Sequence, residues 1–137
     1  MASRMKAQID ENIAPALAKA LDCLVEANGH NVIHVTDLHA RGTPDTQLFI
    51  RAAEFGVDIH VTHDHHHRSQ EEKEAISESQ LLVFVLEKSW MPHSFFEKAS
   101  RLVHWWPRIM QGSESLQRPG IYMVPWRTES RRFIRVA

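Results

Sequence analysis

The sequence predicts an α/β fold: a mainly parallel central sheet of four to five strands, flanked by helices in three layers. Two observations carry this. Short apolar runs alternate along the chain with segments of helical period, and alternation of that kind closes into an open parallel sheet with helices on both faces. The unbroken "LLVFVL" at 81–86 also reads as a strand buried on both sides, which a parallel sheet requires.

The elements follow in order. "KAQI" at 6–9 is a first strand, and Ile13, Leu17, Leu21, Leu24 and Val25 then recur at helical spacing up to Gly29, a C-cap. Residues 32–35 form a second strand. Thr43, Pro44 and Asp45 mark a helix start: the hydroxyl can cap, proline suits the first position and the acid favours the first turn. That helix carries Leu48, Phe49, Ala52 and Phe55 to a stop at Gly56. In a third strand Val57, Ile59 and Val61 alternate with Asp58, His60 and Thr62. A polar helix over 70–79 precedes "LLVFVL". A long helix follows, with Phe95, Ala99, Leu102, Trp106 and Ile109 on its buried stripe, Trp105 partly exposed, and Pro107 kinking or ending it. After a loop over 111–120, residues 121–124 give a last strand, and 125–137 form a basic extension that could add an edge strand.

The chain reads as one domain over 1–137, with its core at about 6–124. Its 137 residues are enough to bury a core, and 43% hydrophobic with 24% charged is ordinary globular usage. The longest apolar run is too short to span a bilayer and the N-terminus lacks an apolar signal core, so a soluble cytoplasmic protein is expected. Cys23 alone excludes an internal disulfide framework, and its place in the first helical pattern predicts a buried thiol. The net charge of −1 hides an asymmetry. Residues 1–70 hold six Lys and Arg against nine Asp and Glu, whereas 89–137 hold eight against three. Arg127, Arg131, Arg132 and Arg135 cluster at the basic end, where they offer an anionic partner its contacts or form a solvated tail.

Ligands of parallel sheets sit outside the carboxyl ends of the strands. Asp10 follows the first strand, Asp64 follows the third, and Asp45 opens the second helix toward the same edge. Singly they read as a cap, a dipole partner and a turn residue. Together, three converging carboxylates repel one another unless a cation neutralises them, and an oxygen-only set suits Mg²⁺ or Mn²⁺ rather than zinc.

"DENIAP" at 10–15, "GTPD" at 42–45 and "THD" at 62–64, in that order, resemble the PIN-like domains of small bacterial ribonucleases, including VapC-like toxins of toxin-antitoxin pairs. The similarity runs from about residue 6 to residue 110. It implies a three-layer PIN-like fold and a metal-dependent ribonuclease with Asp10, Asp45 and Asp64 as catalytic metal ligands. It also implies an RNA substrate, a cognate antitoxin and a homodimer. The chain departs from the family in having no clean fourth acid, for which Glu11, Glu71 and Glu72 are candidates, and in carrying "HHHR" at 65–68 where the family tends to be basic. Asn12 and Glu72 are auxiliary candidates, with Asn12 orienting Asp10 or capping the helix. Arg68, His65, Arg131 and Arg132 are candidates for gripping RNA.

Two other classes compete. A phospho-receiver would hold Mg²⁺ at Asp10, Glu11 and Asp64 and accept phosphate on Asp64, but it calls for a Lys near the end of the last strand, where "IYMVPW" has none. An inactive PIN-like module would bind RNA or protein without turnover. His63, His65, His66 and His67 do not predict zinc, because near-consecutive residues rarely wrap one ion.

Overall fold

The computed structural model describes residues 4–130 and 132–137. Six strands form one sheet in the order β2-β1-β3-β4-β5-β6. These are β1 (Lys6–Ile9), β2 (Asn31–His34), β3 (Ile59–Thr62), β4 (Leu82–Leu86), β5 (Gly120–Val124) and β6 (Ile134–Arg135). The first five pair in parallel, and β6 runs antiparallel on β5. The helices are α1 (Pro15–Val25), α2 (Asp45–Ala52), α3 (Gln70–Ser79) and α4 (Phe95–Ser115). Among the described residues no helix is long and apolar enough to cross a membrane.

Side-chain alternation divides the strands between two cores. Ile9, Val61 and Phe84 face α1 and α4 through Leu17, Leu21, Leu102, Trp105 and Ile109. Val83, Val85 and Ile121 share the opposite core with Leu48 and Phe49 of α2 and Ala75 and Ile76 of α3. The central strands β3 and β4 are buried throughout, as strands covered on both faces must be.

The helix placement has a topological consequence. The steps β3 to β4 and β4 to β5 run the same way across the sheet, yet α3 covers one face and α4 the other. The β4–α4–β5 crossover therefore has the opposite hand to β3–α3–β4, a rarity among parallel connections. It leaves the second face of β4 and β5 to the core shared with α2 and α3.

Several expectations are corrected. The second strand ends at His34, and Val35–Asp37 forms a 3-10 turn. The third begins at Ile59 and its polar side chains are as buried as its apolar ones. Thr43 does not cap α2: its hydroxyl donates to the Ala40 carbonyl, and Pro44 takes the cap position without a side-chain bond. Asn12 does not cap α1, whose cap residue is Ala14. Helix α4 runs through Pro107 into the segment expected to be loop; the ring faces solvent, where the carbonyl left without a donor can bond water, while Trp106 and Ile109 on either side are buried. Trp105 is fully buried, Phe95 is 47% exposed, and Cys23 is exposed. The segment 125–137 returns to the sheet through β6, and Phe133 packs edge-on against Phe84 and tilted against Trp105.

Candidate functional site

Parallel strands end their carbonyls at one edge, and that edge collects the acids. Asp10, the residue after β1, is only 6% exposed. Its Oδ2 accepts from the Thr62 hydroxyl at 2.6 Å and its Oδ1 from the Glu11 N–H at 2.8 Å. Thr62, at the end of β3, is a hub: it also accepts from the Asp64 N–H at 3.0 Å and the Asn12 amide at 3.3 Å. Asn12 in turn accepts from the His63 N–H at 3.3 Å, so it ties the loop after β1 to the loop after β3. Glu11 closes a third side by accepting from the Gly42 N–H at 2.7 Å. At φ +79° the Gly42 backbone lies in the left-handed region that favours glycine.

Asp10, Asp45 and Asp64 consequently line one open cleft of about 330 Å³, together with Glu11, Asn12 and the 40–44 loop. Their charges are partly compensated. Arg68 Nη1 donates to Asp45 Oδ2 at 2.6 Å and to Glu72 Oε2 at 2.9 Å, with 5% of its side chain exposed. Its guanidinium also lies 5.4 Å from the centre of the Phe49 ring. Arg68 is thus a buried internal counter-ion; a solvent-facing phosphate grip would need it exposed. His66 is held between Asp64, 2.7 Å away, and Glu72, 3.1 Å away.

These contacts set the charge states. Hydrogen bonding to Asp64 holds His66 above its usual pKa, burial opposing and Glu72 reinforcing. Asp64 falls below the usual carboxylate range: burial opposes the fall, but the backbone and ring of His66 outweigh it. Burial likewise opposes ionisation of Glu72, yet Arg68, Ser69 and His66 bring it down to about 2. Burial, with Lys98 and His65 adding, lowers His63 to about 4 against the pull of Asp10, so His63 is neutral at pH 7.

Beneath the cleft lies a polar row that sequence reasoning missed. Gln8 and His60 are fully buried cross-strand partners, with the Gln8 amide 2.9 Å from His60 Nδ1. An amide donating to Nδ1 leaves the proton on Nε2, 4.0 Å from Asp10 Oδ2 and too far for a hydrogen bond. Burial lowers the His60 pKa despite nearby Asp10 and Asp45. The only signal in the sequence was position: His60 and Thr62 stand on a strand that the parallel topology buries on both faces.

The remaining candidates scatter. His65 bonds through Nε2 to the Leu86 carbonyl, and His67 is exposed. His65 and His66 thus turn to different partners. Arg132 is exposed away from the cleft, beside Arg108 and Phe133. Arg135 bonds to Gln117 at 2.6 Å and to the Pro119 and Ala137 carbonyls. Arg131 lies outside the described residues.

The donor chemistry fits a hard divalent cation, since each carboxylate oxygen keeps a free lone pair after accepting one hydrogen bond. Among the described residues Asp45, His66 and Glu72 are the one group of three such ligands whose donor atoms lie within 4.8 Å of one another; Asp10 and Asp64 line the same cleft as Asp45 without reaching that spacing. Arg68 bridges Asp45 and Glu72.

A family model described as "PIN like domain" matches residues 5–88, which span β1 through β4 and every acid named above. No curated protein and no solved structure matches the chain.

Proposed function

Because the chain belongs to the PIN-like domain family, we propose that it is a Mg²⁺- or Mn²⁺-dependent endoribonuclease and the toxin of a bacterial toxin-antitoxin pair, acting in the cytoplasm. PIN-like domains are a nuclease-type family and typically use divalent metals. The observation that carries the reading is the convergence of Asp10, Asp45 and Asp64, from three separate segments, on one open cleft at the carboxyl edge of the sheet.

Asp10, Asp45 and Asp64 would hold the cation. When bound, such an ion lowers the pKa of a water and offsets charge developing on a scissile phosphate. The chain's own residues prepare the place. Thr62 and the Glu11 N–H fix both oxygens of Asp10, and charge-assisted bonds of this kind are short and strong. Arg68 anchors Asp45 from the buried side, leaving the cleft side of the carboxylate to a ligand. Glu72 is an auxiliary acid through Arg68 and His66 rather than at the cleft wall.

The toxin role rests on the resemblance of "DENIAP", "GTPD" and "THD" and on surface suited to a protein partner. Met91, Phe95 and Phe96 are 56%, 47% and 82% exposed at the start of α4, and apolar clusters of this kind mark interaction sites. An antitoxin or a second copy of the chain would cover them.

The receiver reading has one observation in its favour, the β2-β1-β3-β4-β5 order common to flavodoxin-like folds. Against it, β5 runs into Pro125 and Trp126 with no Lys, and Asp45 has no role. The test is incubation of purified protein with single-stranded RNA and Mg²⁺ or Mn²⁺, with and without chelator, alongside Asp64→Asn. Cleavage lost in both controls supports the nuclease. Cleavage unaffected by chelator and substitution overturns it.

A further inference from the structure

A second cavity, of about 240 Å³, opens on the other side of Asp64, which lines both it and the acidic cleft. Val85, Ile121 and Met123 line it beside His65 and Val136, on the sheet face opposite α4. Val85 and Ile121 are 6% exposed and lie on the paired strands β4 and β5, which form the floor. His65 is fixed by its bond to the Leu86 carbonyl and presents a rigid aromatic wall. Lys73 stands at the rim.

We propose that this cavity receives the nucleobase next to the phosphodiester held in the acidic cleft, and so gives the enzyme a base preference at the cut. The inference rests on the ribonuclease reading of the cleft and adds a specificity pocket to it. Three features select this occupant. The floor and His65 offer apolar and aromatic surface, on which bases stack irrespective of their hydrogen-bonding edges. The volume lies below the roughly 300–1,000 Å³ taken by whole drug-sized ligands, which suits one base and excludes a folded segment. Asp64 as the common wall puts the cavity one nucleotide step from the candidate metal ligands, and Lys73 gives the next phosphate a cation.

The cavity also accounts for part of the "HDHHHR" run. His65, His66 and Arg68 all line the cavity; His66 and Arg68 are engaged with the carboxylates, which leaves His65 as its aromatic wall.

The test uses metal-free protein with labelled methyl groups, titrated with AMP, GMP, CMP and UMP and with ribose 5-phosphate as the base-free control, followed by NMR. The nucleotides should shift the methyls of Val85, Ile121, Met123 and Val136, with affinities differing between bases, and ribose 5-phosphate should not. Val136→Trp, at a site 51% exposed where a large side chain does not disturb the core, should fill the cavity and weaken nucleotide binding at least tenfold. In active protein it should also flatten any base preference at the cut. Silent methyls, equal shifts with ribose 5-phosphate, or unchanged nucleotide affinity in Val136→Trp would each overturn the pocket. Base binding without RNA cleavage in any metal would leave the pocket standing and sink the nuclease reading; cleavage with silent methyls would do the reverse.

Discussion

Arg68 donates to Asp45 across 2.6 Å from beneath the cleft, with its own side chain 5% exposed. The site therefore contains its own cation. Three carboxylates, Asp45, Asp64 and Glu72, contact Arg68 and His66, and these contacts offset part of the repulsion among the acids.

Arg68→Ala should destabilise the metal-free protein by about 3–5 kcal/mol, because it strands Asp45 and Glu72 with no buried partner. Urea unfolding measures this. Added Mg²⁺ should return part of the loss if Asp45 is a ligand. A variant as stable as the wild type would show that the pairs are not coupled to folding.

Acid should unfold the protein through Glu72. Its folded pKa of about 2 lies below the ordinary 4.5, so its contribution is fully present above pH 4.5 and is lost as pH falls toward 2. The linkage is worth about 3 kcal/mol. Glu72→Gln should flatten the slope of stability against pH in that window, as read from denaturant midpoints between pH 2 and 5. An unchanged slope would mean that other groups govern acid unfolding.

Asp64→Asn should abolish cleavage and cost the metal-free fold no more than about 1 kcal/mol. Repulsion among the acids alone would predict a gain on removing one. The structure shifts that expectation, because Asp64 is paired with His66 at 2.7 Å. Both side chains are 40% exposed, and pairs at such exposure contribute little. Unfolding of the variant in a thermal melt would make Asp64 a structural residue.

Arg127 and Arg132 should bind RNA or antitoxin without touching chemistry. Both are exposed, whereas Arg135 is held by Gln117 and two carbonyls. The double variant Arg127→Ala, Arg132→Ala should lower the slope of log K against log salt by about one unit for each phosphate that is no longer neutralised. Turnover at saturating RNA should hold. Wild-type salt slopes with both partners would leave these arginines as a solvated tail.

That Asp10, Asp45 and Asp64 share one edge was legible because each follows a strand or opens a helix, and a parallel sheet sends such positions to one edge. What surrounds them was not. His60 alternates with Ile59 and Val61 and so reads as half-exposed, until topology places β3 at the centre of the sheet. Arg68 reads as a free cation because nothing in "HHHR" announces that Asp45 and Glu72 reach it. Trp105 and Phe95 exchanged exposure because α4 packs from Leu102 onward and continues past Pro107, so its first turn stands clear of the core.

Whether Asp10, Asp45 and Asp64 build one cation site is decided by soaking crystals in Mn²⁺ and locating the ion from its anomalous signal. A peak is expected in the cleft, at metal–oxygen distance from all three carboxylates, and it should disappear in Asp10→Asn. A peak confined to Asp45, His66 and Glu72, or no peak at any Mn²⁺ concentration the crystals tolerate, would contradict the shared site.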